Sequence, residues 1–250
     1  MDQGKRPNTI STYLRMLRSI YNKGIDHGYA KYIRRLFYDV YTGIDTNHKK
    51  ALSRKDLHSL LYQDPKSEKL RKTQYTARLI YQLCGIPFVD LTHIKKTNIS
   101  DDTLEYYRMK TGTKVKIRLL KPAIKTIKHL NNYKEPLSNV QNSNLLTCLK
   151  CTHSFRSLNG YEEYQLALRR FNFHLKILGK RLGIKNDLSS YTLRHSWATT
   201  AKYTGASIEM ISELLGHKSI KTTQIYLAGF NTTELAKVNK KVCNYIENMT

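Results

Sequence analysis

Cysteine is scarce in this chain: four in 250 residues, at positions 84, 148, 151 and 243. So few thiols at so irregular a spacing exclude a disulfide framework. Cys148 and Cys151 form a CxxC pair with His153 just beyond. No second ligand pair stands at metal spacing, so ordinary buried thiols are expected and no metal site is assigned. Long apolar runs are also missing, which excludes a membrane-spanning helix. The first seven residues are polar and carry no signal-peptide core, so a cytoplasmic protein is expected. A glycine-rich, phosphate-cradling loop is absent, which leaves nucleotide hydrolysis without support and no cofactor to assign.

Acidic residues are the last thing in short supply. Nineteen Asp and Glu face 43 Lys and Arg, a formal charge of +24. Self-repulsion of that size is best tolerated when the working partner is a polyanion. Nucleic acid is the leading candidate, because neutralising phosphates releases condensed counterions. The basic residues are not gathered on one amphipathic helix or tail, which argues against a membrane surface. They recur along the chain, at Lys49 and Lys50, Lys95 and Lys96, Arg169 and Arg170, and Lys180 and Arg181. That pattern suits a folded basic surface.

Helical periodicity dominates what is present. Ile10, Tyr13, Leu14, Leu17, Ile20 and Tyr21 predict one amphipathic helix over residues 9–29, with a turn at Gly28. One or two helices cannot bury their apolar faces alone, so this segment reads as part of a small helical domain. Residues 42–50, with Gly43, Asp45 and Asn47, read as a linker, which puts a boundary at 48/49. Ser53 is a helix N-cap before Leu57, Leu60 and Leu61, and a second helix over 70–84 stops at Gly85 and Pro87. The only β signal is a hairpin, 104–109 and 115–119 around Lys110, Thr111, Gly112 and Thr113. Beyond Pro122 the chain reads as helical again, apart from a polar loop at 139–144. Three strong helices close it, over 191–204, 207–215 and 233–247. The expected fold is α+β and mostly α-helical, with one small antiparallel β-sheet.

The residues that carry chemistry are concentrated near the end. Arg194, His195, Ser196, Trp197, Ala198 and Thr199 are followed by Leu215, Gly216 and His217, then Thr222, Thr223 and Tyr226. Singly, each piece is unremarkable: Tyr191 and Arg194 share a helix face as many structural pairs do, and Tyr226 is one of 18 tyrosines. Together, and in this order, they resemble the tyrosine recombinase (phage integrase) family. That family carries an R-H-x-x-A-T box, then L-G-H, then a tyrosine nine residues beyond the histidine. The resemblance extends upstream over Gly85 to Ile94, similar to the family's first box, and over Lys110, Thr111 and Gly112, similar to its hairpin lysine. It covers about residues 51–239, and the chain looks closest to integrases of bacterial conjugative and mobilisable elements.

The resemblance implies a catalytic domain over 49–250, preceded over 1–48 by part of the family's helical DNA-clamping domain. The partner would be double-stranded DNA, and the reaction a metal-independent cutting and rejoining of strands through a 3′-phosphotyrosine link. Such chemistry needs a nucleophile, an acid for the leaving 5′ oxygen and cations around a phosphorane-like transition state. The resemblance gives Tyr226 the first role and Lys110 the second. Arg194 would clamp the scissile phosphate bidentately, which Lys cannot do, and His217 would donate to a non-bridging oxygen. His195 and Trp197 are assigned to packing. The terminal helix, with Leu235, Val238, Val242 and Ile246 along one face, would dock on a neighbouring protomer within a tetramer on two DNA sites. Packing on its own domain is the equal alternative from sequence.

Two positions depart from the family. Tyr191 stands where a histidine is usual, a hydrogen-bond donor but a poor base at neutral pH. Pro87 stands where the first catalytic arginine belongs, and Cys84 where the nearest subgroup can place a substitute. No arginine lies between Arg78 and Arg108. Either another cation fills the site, with slow cleavage, or the chain is a recombinase-fold DNA-binding protein with weak or no activity.

Overall fold

Ser53 shows how directly the sequence dictates the start of the larger unit. Its hydroxyl accepts from the Asp56 backbone N–H at 3.1 Å and caps α2 (Arg54–Tyr62). In this computed structural model the described residues are 7–42, 51–133, 144–146, 149, 151, 153–227 and 232–247. The chain divides into two units, Met1–His48 and Lys49–Thr250.

The first unit is built on α1 (Pro7–Asp26), which opens with a proline in its first turn, where the missing N–H costs nothing. Tyr21 ties the following segment back to the helix: its hydroxyl donates to the Lys31 carbonyl at 2.8 Å and accepts from the Ile33 N–H at 2.7 Å. Its ring meets Phe37 at 5.7 Å. Tyr13, Met16, Leu17 and Ile20, the apolar stripe of α1, remain exposed. The linker expected over 42–50 falls, apart from residue 42, outside the described residues.

The second unit is organised around α3 (Glu68–Gln82), whose buried Thr73, Ala77, Leu79 and Ile80 make it the central helix. It packs on α2, on α5 (Lys121–Asn131), on α6 (Leu158–Arg181) and on α7 (Ser190–Tyr203). The short α4 (Phe88–His93) leads from α3 into a 3₁₀ turn, Lys96–Asn98, and an antiparallel sheet ordered β1-β2-β3. These strands are β1 (Ile99–Ser100), β2 (Thr103–Tyr107) and β3 (Lys114–Arg118). In the β2–β3 register Leu104 faces Ile117 and Tyr106 faces Val115, and all four side chains are buried. Three further helices close the described chain: α8 (Ile208–Leu215), α9 (Ile220–Tyr226) and α10 (Thr232–Glu247).

The architecture is the mostly helical α+β arrangement expected, with one small antiparallel sheet. It adds β1, α4 and α9, all short elements, to the expected list. The expected polar loop at 139–144 lies outside the described residues, apart from Asn144. So does Cys148, whereas Cys151 is buried. Among the described residues no helix is long and apolar enough to cross a membrane, and no cluster of three metal-ligating side chains occurs.

Candidate active site

Arg194 lies on the second turn of α7, a helix capped at Ser189 by reciprocal bonds with Thr192. Its guanidinium points into the protein and only 5% of the residue is exposed. Nη1 donates to the Gly85 carbonyl at 2.9 Å, and Nη2 donates to the Leu215 carbonyl at 2.6 Å. Nη2 also meets His217 Nε2 at 3.2 Å. Arg194 thus joins the loop after α3 to the turn after α8.

Both of those loops depend on glycine. Gly85 has φ +66°, and a Cβ there would meet the Arg194 Cα at 2.9 Å. Gly216 caps α8 in the left-handed conformation with φ +63°, and a Cβ would come within 2.6 Å of Val115 Cγ2 and 2.8 Å of Arg108 Cγ. Each turn needs a residue that accepts positive φ and leaves room for a neighbour. Sharp turns at these two points bring their backbone carbonyls to the arginine.

His217 follows Gly216 directly. Its Nδ1 lies 2.8 Å from the Thr223 hydroxyl, and Thr223 is fully buried on α9. An arginine can only donate, so Nε2 accepts from Arg194 and the proton of the neutral ring sits on Nδ1, directed at Thr223. Burial, and then the positive charges of Arg194 and Arg108, push the imidazole down to about 4. At neutral pH the ring is uncharged. The donor role expected for His217 therefore requires Nε2 to gain a proton, which an anion placed against the two arginines favours.

Arg108 is the site residue that sequence reasoning missed. It follows β2 directly, and it continues the inward side of that strand after Leu104 and Tyr106, with 7% of the residue exposed. Its Nη1 donates to the Leu215 carbonyl that Arg194 also uses, and contacts the Gly216 carbonyl at 3.4 Å. Its Nε pairs with Asp90 Oδ2 at 2.7 Å, and the other Asp90 oxygen accepts from the Met109 N–H at 2.9 Å. Burial pushes the Asp90 carboxyl up, against the opposing pull of the Met109 N–H, Arg108 and Arg194. The signal was present in the sequence, as a charged residue on the buried alternation of a strand.

Lys110 sits exposed in the hairpin turn, closed by Gly112 N–H to the Arg108 carbonyl at 2.8 Å and Arg108 N–H to the Thr113 carbonyl at 2.9 Å. The Thr111 hydroxyl reaches the Gly216 carbonyl at 3.3 Å, so the turn is fastened to the Arg194 and His217 region. Tyr191 is exposed in the first turn of α7, one turn before Arg194. Tyr226 is the last residue of α9, the helix whose Thr223 holds His217. The next residue, Leu227, is buried with Ala198, Ile211 and Leu215, with Trp197 packed against them, and this anchors the end of α9. His195 is buried, and Trp197 is partly buried against the apolar cluster of Ala198, Ile211, Leu215 and Leu227.

Pro87, at the expected position of the first arginine, is the residue before α4 and contributes no charge. Cys84 does not substitute for it. The residue has φ +55° and packs against the main core, where burial pushes its thiol up to about 11.

The sequence profile of the phage integrase family matches residues 50–232. The tyrosine recombinase XerD of Listeria monocytogenes is 26% identical over 231 residues, covering 90% of this chain and 72% of that protein. The XerD of Staphylococcus haemolyticus is 26% identical over 229 residues, covering 90% and 73%. Among solved structures, the Tn1549 transposon integrase in complex with a circular intermediate DNA aligns with a TM-score of 0.68 at 17% identity, over 96% of this chain and 81% of that one. A lambda integrase dimer bound to a COC′ core site aligns with a TM-score of 0.64 at 17% identity, over 89% and 75%. At these identities the structures establish a shared fold.

Proposed function

The chain belongs to the phage integrase family of tyrosine recombinases, DNA strand transferases that act at specific sites, and from that membership we propose the following roles for its own residues. Tyr226 attacks the scissile phosphate, forms a 3′-phosphotyrosine link and releases a 5′ hydroxyl. The link keeps the energy of the broken phosphodiester for rejoining to a second end. Lys110, on the exposed hairpin turn, protonates the leaving oxygen. Arg194 binds the scissile phosphate, His217 donates to a non-bridging oxygen once the phosphate is present, and Tyr191 supplies a further hydrogen bond. No step calls for a metal or a cofactor.

The observation that carries this reading is the contact of Arg194 with His217 at 3.2 Å, on a turn continued by the helix that ends in Tyr226. A phosphate at that cluster would meet donors held in place before it arrives, which is how charge developing in a transition state is stabilised. The exposed Val238, Val242 and Ile246 of α10 support a tetramer on two DNA sites, with the helix docked on a neighbouring protomer. We place the protein in the bacterial cytoplasm, on DNA. The segment 1–48 is read as part of a DNA-clamping domain.

Pro87 supports a second reading, a recombinase-fold protein that binds DNA without cutting it or cuts it only weakly. One assay separates the two. The DNA site is recovered from a randomised duplex pool by binding, then offered as a nicked duplex that traps the covalent intermediate. The parent chain is expected to give a protein–DNA adduct, and Tyr226→Phe to give none while binding stays within a few-fold, because a hydroxyl is lost but no charge. An adduct from the variant would assign another nucleophile. Binding without any adduct from the parent would favour the non-cutting reading.

A further inference from the structure

Lys110 can serve as an acid only when its ammonium stands within hydrogen-bond reach of the leaving oxygen. Its flexible four-carbon stem, however, sits on the exposed tip of a hairpin. Resting on the strand-transfer reading above, we infer that Thr111 is the positioning residue for this acid. Its hydroxyl pins the hairpin tip to the turn that carries His217, and so sets where Lys110 stands relative to the phosphate site.

Three observations carry the inference. The first is burial. Met109, Lys110 and Gly112 are exposed, whereas Thr111 among them is half-buried. Loop tips are ordinarily solvated and mobile, so a side chain turned inward there calls for a partner. The second is what the hydroxyl does. It donates to the Gly216 carbonyl at 3.3 Å and accepts from the Thr113 N–H at a long 3.5 Å. One side chain thereby closes its own turn and ties it to a segment 105 positions away. A valine of the same shape could do neither. The third is the firmness of the anchor. Gly216 N–H donates to the Glu213 carbonyl at 2.9 Å, and His217 N–H to the Ser212 carbonyl at 3.0 Å. The Thr223 hydroxyl, 2.8 Å from His217 Nδ1, holds the ring beyond that turn. The base of the hairpin loop is closed as well, by the two backbone bonds between Arg108 and residues 112 and 113. With both ends held, Thr111 links the acid to His217 through a single peptide group.

The plain alternative is that Thr111 only stabilises the hairpin. A residue with that role affects every substrate alike, whereas one that positions an acid matters only where the leaving group needs a proton.

The test uses the full chain and the nicked duplex recovered as above, with either oxygen or sulfur at the 5′ bridging position of the scissile phosphate. On both, Tyr226 bonds to phosphorus as the bond to the leaving atom breaks. The leaving oxygen takes a proton from Lys110, while sulfur departs as a thiolate, a far weaker base that needs none. In single-turnover assays at saturating DNA, Thr111→Val should form the adduct about 10²-fold more slowly than the parent on the oxygen substrate, the loss that a misplacement of about 1 Å can bring. On the sulfur substrate it should stay within about three-fold of the parent, because the step that Lys110 assists is bypassed. Lys110→Ala should show the same pattern with a loss of about 10²–10⁴-fold on oxygen. Thr111→Ser, which restores the hydroxyl, should recover most of the rate. Melting temperatures establish that each variant is folded, and Thr111→Ala takes the place of the valine form if that one is not.

A Thr111→Val rate like the parent's on oxygen would overturn the inference. So would equal losses on oxygen and sulfur, which would mark Thr111 as a structural tie. If sulfur rescues Lys110→Ala but not Thr111→Val, this inference falls alone. If it rescues neither, the acid role of Lys110 falls and takes the inference with it. No adduct from the parent on either substrate would overturn the strand-transfer reading itself.

Discussion

Two glycines, 85 and 216, do for this site what no side chain could. Each turns the chain at positive φ directly beside an arginine that the turn's own carbonyl then receives. Gly112, in the hairpin, has φ +68° with nothing within 4 Å of a would-be Cβ, so it separates conformation from crowding. Gly112→Ala should cost about 1–2 kcal/mol, the conformational penalty alone. Gly216→Ala adds contact at 2.6 Å with Val115 and 2.8 Å with Arg108, and should cost about 2–4 kcal/mol in total, read from urea unfolding midpoints. Equal costs would mean that the arginine and valine yield without strain.

His217 gives the second residue-scale expectation. Its folded pKa, about 4, lies below the ordinary histidine value because of burial and the two arginines. As pH falls below about 6.5 the unfolded chain takes up a proton at this residue before the folded one does. The contribution of His217 to stability is therefore fully present at pH 7 and above, and is lost progressively between pH 6.5 and 4. Replacing it with Gln removes the titration, so the loss of stability between pH 7 and pH 5 should be smaller in His217→Gln than in the parent. An identical loss in the two proteins would place the titrating group elsewhere.

At the scale of elements, the long pieces were legible and the short ones were not. The periodic Leu57, Leu60 and Leu61 with Ser53 ahead of them gave α2, and the alternation over 104–119 gave the hairpin, because one face of each is buried. The strand β1 spans two residues and α9 spans seven, too few for either period to register, and tertiary contacts such as Leu227 in its apolar cluster hold α9 in place. Five candidate residues, Tyr226, Arg194, His217, Lys110 and Tyr191, were read from motif order, and of these the structure brings Arg194 and His217 into contact. Arg108 was not among them, because its partners, Asp90 and Leu215, are distant in sequence. The docking role of α10 was open between the chain's own core and a neighbour. Val238, Val242, Tyr245 and Ile246 are each about 60% exposed or more, which favours the neighbour. Truncation after Asn231 should then lower recombination of two sites far more than binding to one, with the monomer's melting temperature nearly unchanged. A large fall in melting temperature would return the helix to its own domain's core.

At the scale of the whole molecule, the excess of 24 positive charges must be reconciled with a site that employs only a few of them. Within the site the cations are buried and fixed, so salt screens them weakly. Exposed lysines such as Lys110, by contrast, act through the displacement of condensed counterions from DNA. Affinity and chemistry should therefore respond to salt differently. The association constant for duplex should fall by about 10³-fold or more between roughly 50 and 200 mM salt, as for a protein that contacts six to ten phosphates. The rate of adduct formation once DNA is saturated should change by less than about three-fold over that range, because buried electrostatics escape the Debye screening that acts at the surface. Lys110→Ala should reduce the slope of log affinity against log salt by about one, while Tyr226→Phe should leave it unchanged. Filter binding across a salt series, paired with single-turnover cleavage at saturating protein, measures both. A flat affinity profile would remove DNA phosphates as the reason for the charge. A saturated rate that falls in parallel with affinity would mean that the site is open to solvent ions, contrary to the burial of Arg108 and Arg194.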